Sequence, residues 1–391
     1  MTIALDLLGA ILALVSLPAI IELGLFLFAH LFRRALSRRR RPLASGSAIR
    51  SIAILVPAHD EEKDIERCVR SLLAADAGPY RREVFVIADN CRDRTAELAR
   101  EAGARVIERF DENLRGKGAA IQYAIRQLEG EAHEAYLIVD ADSVVSQNFV
   151  QVMGDEFSSG KEAIQCIYLA LNARASPRTG LMNLALLSMN VLRPAGRELL
   201  GLSAGIMGNG FGLTRSLLGK IPYMANSITE DLEYHLRLIE AGRRVRFVVE
   251  TRVLADFPVS KEGATTQRAR WEGGRFMLQR KFVPRMAGQI LKGQGSMLEP
   301  LLELSSLPLS YEVLCLLALL PLPGSAFLIY GCCGLIIISL HILASILIYG
   351  CKDDFKALLS IPAYVLWKLL RLPRILLASR RGTDWIRTKR D

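Results

Sequence analysis

The sequence predicts an α/β domain built on a mostly parallel sheet and held between membrane-spanning helices. Three observations carry that expectation. From Ser51 onward, short apolar runs alternate with amphipathic segments, as in a sheet whose parallel strands are joined by crossover helices. Long apolar stretches flank this region, at residues 3–32 and 307–350. The chain of 391 residues is 51% apolar with a mean hydropathy of +0.25, which is high for a protein wetted on all sides.

Residues 1–34 read as a retained transmembrane helix interrupted by Asp6 and Glu22, because no basic segment precedes the apolar run and no small-residue cleavage pattern follows it. Within a domain spanning 50–275, strands are expected at 52–56, 84–88, 105–107, 136–139 and 163–168. Helices are expected at 61–75, 93–102 and 117–128, the second opened by Asp93 or a neighbour and closed by Gly103. Residues 276–306 suit interfacial helices. Residues 307–350 supply a transmembrane hairpin turning at Pro321, Pro323, Gly324 and Ser325, with Glu312 and His341 inside it. The tail, 351–391, mixes Tyr364 and Trp367 with spaced Lys and Arg and suits a basic amphipathic helix lying in the interface; a third C-terminal span is the competing reading.

The net charge of +10 is concentrated at Arg33, Arg34, Arg38, Arg39, Arg40 and Arg41 and in the tail, where Lys352, Lys356, Lys368, Arg371 and Arg374 follow the last span. Clusters that flank apolar segments face anionic membrane lipids, and no nucleic-acid-binding motif accompanies them. By the positive-inside rule both flanks are cytoplasmic. The expectation is therefore a multi-pass protein of the inner, cytoplasmic membrane with its α/β domain in the cytoplasm. The 7 cysteines form no CxxC pair and lack a nearby His at ligand spacing, so they read as small buried hydrophobes in a reducing compartment.

Ligands of such sheets collect beyond the carboxyl ends of the strands, and Pro57–Glu61, Asp89–Arg94 and Asp140–Ser143 all fall there. No Walker A pattern is present, and Gly208, Gly210 and Gly212 do not form a strand-to-helix dinucleotide fingerprint. An Asp-x-Asp pair offers another way to hold phosphates. Side chains two apart on extended backbone point the same way, so one carboxylate of Asp140 and Asp142 can hold Mg²⁺ or Mn²⁺ while the other bonds a nucleotide. A solvated turn is the plainer reading of such a pair; the apolar run 136–139, which delivers it to the cleft, favours function.

Over residues 52–275 the sequence resembles the inverting family 2 glycosyltransferases, especially the membrane-embedded branch of cellulose, chitin and hyaluronan synthases and ceramide glucosyltransferases. Val56-Pro57-Ala58-His59-Asp60-Glu61-Glu62 is similar to the opening VPAYNEE pattern, with His59 and Asp60 in place of Tyr and Asn. Asp89 to Thr95 is similar to the DDGSxDxT turn and Arg115-Gly116-Lys117-Gly118 to the RGKG loop. Asp140 and Asp142 match the DxD pair, Glu230 and Asp231 the TED motif, and Gln267, Arg270 and Trp271 the QxxRW motif.

The resemblance implies a GT-A fold, a Rossmann-like nucleotide-sugar-binding domain, acting on a UDP-sugar. It gives Pro57, Glu61, Asp89, Lys117 and Asp140 to the nucleotide, Asp142 to a Mg²⁺ or Mn²⁺ ion, and Asp231, beside Glu230, to general-base catalysis. Gln267 and Arg270 go to the diphosphate, and Trp271 to the floor of the acceptor site. Asn209 and Phe211 are weaker candidates for lining the acceptor cavity, and close backbone packing is the better reason for the adjacent glycines. Thr229, Glu230 and Asp231 also suit a helix N-terminus, which is compatible with a base on a rigid platform.

The leading expectation is metal-dependent inverting transfer of a sugar to a membrane-associated acceptor, a polyprenyl-linked glycan or glycolipid, in exopolysaccharide or cell-surface glycan synthesis. A processive β-glycan synthase is the alternative. Phe257-Pro258-Val259-Ser260-Lys261 precedes QxxRW instead of following it as a cellulose-synthase gating sequence does. Few spans are present to enclose a polymer channel, so a synthase would need further subunits or polysaccharide-export partners. A membrane-tethered pseudoenzyme that only binds nucleotide sugar is disfavoured because base, metal ligand and acceptor Trp are all retained.

Overall fold

The computed structural model describes residues 2–33, 49–224, 229–259 and 261–366, with the side chains of residues 2 and 261–272 outside that description. The basic residues expected at Arg34–Arg41 and in the tail beyond 366 lie outside it too. The chain divides into two compact units. One comprises 39–173 and 201–258; the other comprises 1–38, 174–200 and 259–391.

The first unit is an α/β sheet. Its parallel part consists of β1 (Ser51–Ala58), β2 (Arg81–Asp89), β3 (Arg105–Arg109) and β4 (Ala135–Ile138), with α2 (Ile65–Ala74), α3 (Thr95–Glu101) and α4 (Lys117–Gln127) as the intervening helices. These elements fall where the apolar periodicity places them. Residues 52–56 of β1 are fully buried, as a strand covered on both faces must be. Ile52, Ile54 and Val56 pack with α2 and with α5 (Phe149–Ser158), while Ala53 and Leu55 pack with α4 and with α9 (Glu230–Glu240). Alternation along one strand thus builds two cores.

Beyond β4 the sheet becomes mixed. With β5 (Ser143–Val145), β6 (Ala163–Ala170), β7 (Phe211–Thr214) and β8 (Arg246–Ala255), the order is β3-β2-β1-β4-β7-β6-β8-β5, and β7 runs antiparallel to both β4 and β6. β5, β7 and β8 carry no readable apolar run. β5 is too short, β7 contains Gly212, and β8 carries Arg246, Glu250 and Arg252. Glycine is required in β7, because a Cβ at Gly212 would stand 2.6 Å from Leu137 and from Phe157. α8 (Arg215–Lys220) follows β7 directly.

The second unit is helical. α1 (Thr2–Leu31) and α13 (Ser325–Tyr349) are long and apolar enough to cross a membrane. α12 (Leu309–Leu319) is 11 residues and too short to do so. It reaches spanning length only together with α11 (Leu298–Ser305) and the short turn before it, across a 79° bend. In the hairpin expected at 307–350, the chain before α12 is bent, with Pro308 at the bend.

Residues 177–200 form a continuous helical stretch, α6 (Pro177–Leu186), a π-helical turn (Leu187–Leu192) and α7 (Arg193–Leu200), that packs against α1 and α13. Ser176 opens it with a reciprocal capping box. Although this stretch interrupts the α/β sequence, it belongs to the helical unit. α10 (Lys261–Leu291) and α14 (Asp354–Leu358) complete that unit.

Candidate active site

Because β1 to β4 are parallel, the loops after Ala58, Asp89, Arg109 and Ile138 all emerge at one edge of the sheet. Side chains lock the first two loops together. Asp60 accepts from Arg92 N (2.7 Å), Glu61 N donates to Thr95 Oγ1 (2.7 Å), and Glu62 N donates to Asp93 Oδ2 (3.1 Å). The ring Nδ1 of His59 lies 2.7 Å from Asp89 O. Asp60 and Asn90 both take a φ of +53°, a left-handed conformation that short polar side chains tolerate. Asn90 uses its amide to hold the third loop through Asp111. Arg94, a neighbour of Asp93, occupies the N-cap of α3, and Asp93 before it accepts from Thr95 N (3.0 Å).

Asp89 terminates β2 and is buried against Arg109 at the end of β3, with a 2.5 Å ion pair. Burial holds the Asp89 carboxyl above its usual range, and the guanidinium opposes that shift. Arg109 also reaches Asp111 (3.0 Å) and Leu114 O, and so ties Asp89 to the loop leading to α4. Sequence reasoning ended β3 at Ile107 and passed over Arg109; a basic residue at the carboxyl end of a buried strand was the available signal. Pro57 and Glu61 flank this corner, both partly exposed.

The second half of the site converges on Lys117. Gly116, with a φ of +116°, opens α4 and delivers the lysine, whose Nζ donates to Asp140 Oδ1 and to Gly208 O (2.5 Å). A Cβ at Gly208 would lie 3.1 Å from Asp231 Oδ2 and 3.9 Å from Lys117 Nζ, which brings the second acidic motif to the same point. Burial disfavours the Lys117 ammonium, but Asp140, Glu230 and Asp231 outweigh it and raise its pKa. Glu230, at the start of α9, is pushed up to about 7 by burial and then by its neighbour Asp231. Burial also raises Asp231, against the Leu232 N–H (2.8 Å) and Lys117. Helix start and acidic pair coincide, as expected for a rigid platform.

Asp142 is buried and accepts from Ser143 Oγ (3.1 Å). Its turn is held by Asn209, which corrects one expectation. Asn209 is fully buried, accepts from Asp140 N (3.1 Å) and donates to Ser143 Oγ (2.8 Å), so it braces the Asp140–Ser143 turn from behind and lines no open cavity. Phe211 is likewise a core residue, packed on Tyr223. Tight packing explains the glycines, since a Cβ at Gly210 would meet Cys166 Sγ at 2.6 Å.

The structure thus brings together Asp140, Lys117, Glu230 and Asp231, with Asp142 two residues away and Asp89 at the next strand end. Gln267, Arg270 and Trp271 lie on α10 in the helical unit, and their side chains are outside the described residues. Among the described residues, two groups place three ligand atoms close together: Asp60, Cys91 and Asp93, and Glu83, Glu131 and His133. The latter is satisfied by Arg105, which pairs with both glutamates, and lies at the opposite end of the strands.

The profile of a glycosyltransferase-like family 2 matches residues 50–274. The chain is 24% identical over 244 residues to a probable glycosyltransferase, YdaM, of Bacillus subtilis, covering 59% of this chain and 57% of that one. It is 26% identical over 256 residues to the beta-monoglucosyldiacylglycerol synthase of Synechocystis, covering 60% and 50%. The chain spans little more than half the length of these relatives. The fold is similar to that of a mannosyltransferase from Pyrobaculum calidifontis solved in complex with GDP-Man and Mn²⁺, with a TM-score of 0.53 at 17% identity over 94% of this chain and 97% of that one.

Proposed function

The chain belongs to glycosyltransferase-like family 2, and on that premise we propose that it transfers a sugar, with inversion, from a UDP-sugar to an acceptor held at the cytoplasmic face of the membrane. The observation that carries the reading is the meeting of Asp140, Lys117, Glu230 and Asp231 at the carboxyl edge of the sheet. The acceptor is a polyprenyl-linked glycan or a glycolipid, which the named activity of the cyanobacterial relative supports. α1 and α13 anchor the enzyme as a multi-pass protein of the inner membrane.

Asp89 and Glu61, with Pro57 beside them, take the nucleoside. Asp231 accepts the proton of the acceptor hydroxyl as its oxygen forms a bond to the anomeric carbon from the face opposite the diphosphate. The bond from that carbon to the diphosphate oxygen breaks, and UDP leaves with the electron pair. Glu230, with its carboxyl near 7, keeps negative charge and a proton close to the base. Gln267 and Arg270 serve the diphosphate, and Trp271 stacks on the acceptor sugar.

A divalent Mg²⁺ or Mn²⁺ fits this donor set. The carboxylates are hard oxygen ligands, and one ammonium, Lys117, already sits among three of them. Asp142, with Asp140, would hold the ion, which supplies charge neutralisation for the departing diphosphate. Incubation of membranes containing the protein with labelled UDP-sugars, followed by product sizing, tests the reading. One sugar added to lipid is expected, and a polymer ladder would point to the synthase. No transfer from any UDP-sugar by the intact protein, with Asp231→Asn indistinguishable from it, would overturn the assignment.

A further inference from the structure

The helical unit contains a buried ionic cluster that the reaction does not use directly. Arg197 on α7 is fully buried, and its guanidinium reaches three carboxylates: Glu22 of α1 at 2.5 Å, Glu299 of α11 at 2.5 Å and Glu303 of α11 at 3.0 Å. Arg193, one helical turn earlier, pairs with Glu303 at 3.0 Å and with Glu22 at 3.5 Å. The approach is close at this level, since a Cβ at Gly196 would stand 2.6 Å from Phe26, and the Arg197 guanidinium lies 5.6 Å from the Phe26 ring.

The cluster continues into α10. Arg275 donates to the carbonyls of Glu303 and of Ser306 (3.2 Å), and Gln279, one turn further on, donates to Leu304 O (2.6 Å). A chain of charge-assisted contacts therefore runs from the N-terminal span through Arg197 to α11, and from α11 to α10. Arg275 follows Trp271 by one turn of the same helix, so this chain fastens α10 immediately after the segment that carries Gln267, Arg270 and Trp271.

We propose that Arg197 is a positioning residue for glycosyl transfer: the ionic cluster it centres fixes, from the membrane span, the helix that bears Gln267, Arg270 and Trp271. A buried pair adds little net stability over an apolar substitute, but it permits one arrangement of its partners. A fork bound to three carboxylates on two helices does so more strictly than a point charge. The inference rests on the proposed role of the QxxRW motif in transfer.

The test uses the full-length protein in detergent or nanodiscs, with Arg197→Lys, Glu22→Gln and Trp271→Ala measured in parallel. Arg197→Lys is expected to leave uridine affinity within about twofold, to lower transfer kcat about ten- to a hundredfold, and to speed backbone hydrogen exchange in residues 273–291 but not in the sheet. Wild-type kcat and exchange in Arg197→Lys would overturn the inference. So would parallel loss of uridine affinity, kcat and melting temperature, which marks a purely structural cluster. If Arg197→Lys does not accumulate, Glu22→Gln decides. It removes only the tie to the span, and slowed transfer with intact uridine binding supports the inference, whereas wild-type behaviour refutes it. Trp271→Ala separates the two readings: if it transfers normally, the role of the motif has failed, whatever Arg197 does.

Discussion

The two units each bury a cluster of charge, and the clusters differ in balance. At the carboxyl edge of the sheet one lysine, Lys117, faces three carboxylates, Asp140, Glu230 and Asp231. Between the helices three arginines, Arg193, Arg197 and Arg275, meet three glutamates, Glu22, Glu299 and Glu303. A surplus of buried negative charge is unstable unless a proton or further positive charge arrives. Such a site invites a proton, a metal ion or a cationic transition state. A balanced cluster asks for nothing more and holds its helices in one register. Charge surplus therefore marks the chemistry, and charge balance marks the scaffold.

The largest expected effect tests the surplus. Asp231→Asn keeps shape and removes the proposed base, so transfer is expected to fall about a thousandfold while UDP affinity changes only severalfold. Single-turnover transfer and calorimetric UDP titration check the two arms. Unchanged turnover would leave the surplus charge without a catalytic role at this residue.

Next comes a matched pair of deletions. Arg197→Met strands Glu22, Glu299 and Glu303 together and is expected to cost on the order of 3–5 kcal/mol, seen as failure to accumulate in membranes or a sharply lower melting temperature. Lys117→Met leaves carboxylates that neutralise by taking up a proton, so folding is expected to persist while donor binding weakens. Equal loss of fold in both variants would erase the distinction between the clusters.

A smaller effect comes from pH. The Glu230 carboxyl is raised from 4.5 in the unfolded chain to about 7 in the folded protein, so between those values the folded state holds a proton that the unfolded state has released. Stability from this group is complete below about pH 4.5 and is lost as pH rises through about 7. Glu230→Gln removes the dependence and is expected to flatten it by about 3 kcal/mol across that window. Melting temperatures of variant and wild type at several pH values measure the difference. Parallel curves would mean that Glu230 titrates alike in both states.

Much of the sheet unit was legible in the sequence, because strands buried on both faces must be apolar throughout. The runs in β1, β2, β4 and β6 announce themselves, and so do the loops at their carboxyl ends. β7 and β8 were illegible for physical reasons: β7 is four residues long with Gly212 admitting close neighbours, and β8 carries exposed residues that break both continuous and alternating hydrophobicity. The acidic motifs could be assigned a place from their spacing, but their meeting through Lys117 and Gly208 is a property of the folded chain. Asn209 could not be sorted between cavity and brace, because a buried amide and a ligand-facing amide look alike in sequence. The helical unit was least legible. Residues 177–200 carry Arg178, Arg193, Arg197 and Glu198, charges that hide a helix packed against the spans. The two buried arginines, Arg193 and Arg197, are tolerated there because Glu22, Glu299 and Glu303, far off in the chain, supply their counter-ions.

The smallest effect compares one glycine from each unit. Gly210 has a φ of +69° and lies against Cys166 and Val253; it directly follows Asn209, the brace of the Asp140–Ser143 turn. Gly331, in the middle of α13, packs with its Cα facing Leu316 O and the Leu320 side chain of α12 and the adjoining turn, at 3.0 and 2.9 Å from an added Cβ. Alanine at either site forces a neighbour to move and is expected to cost about 1–3 kcal/mol. The consequences for function should part. Gly210→Ala shifts Asn209 and with it Asp140, so donor affinity falls along with melting temperature. Gly331→Ala loosens two helices that carry none of the nucleotide ligands, so UDP affinity stays while melting temperature drops. Melting curves with and without UDP read both quantities at once. A Gly331→Ala protein that loses its stabilisation by UDP would show that donor binding depends on helix packing in the membrane unit, and the separation between chemistry and scaffold would then have to be redrawn.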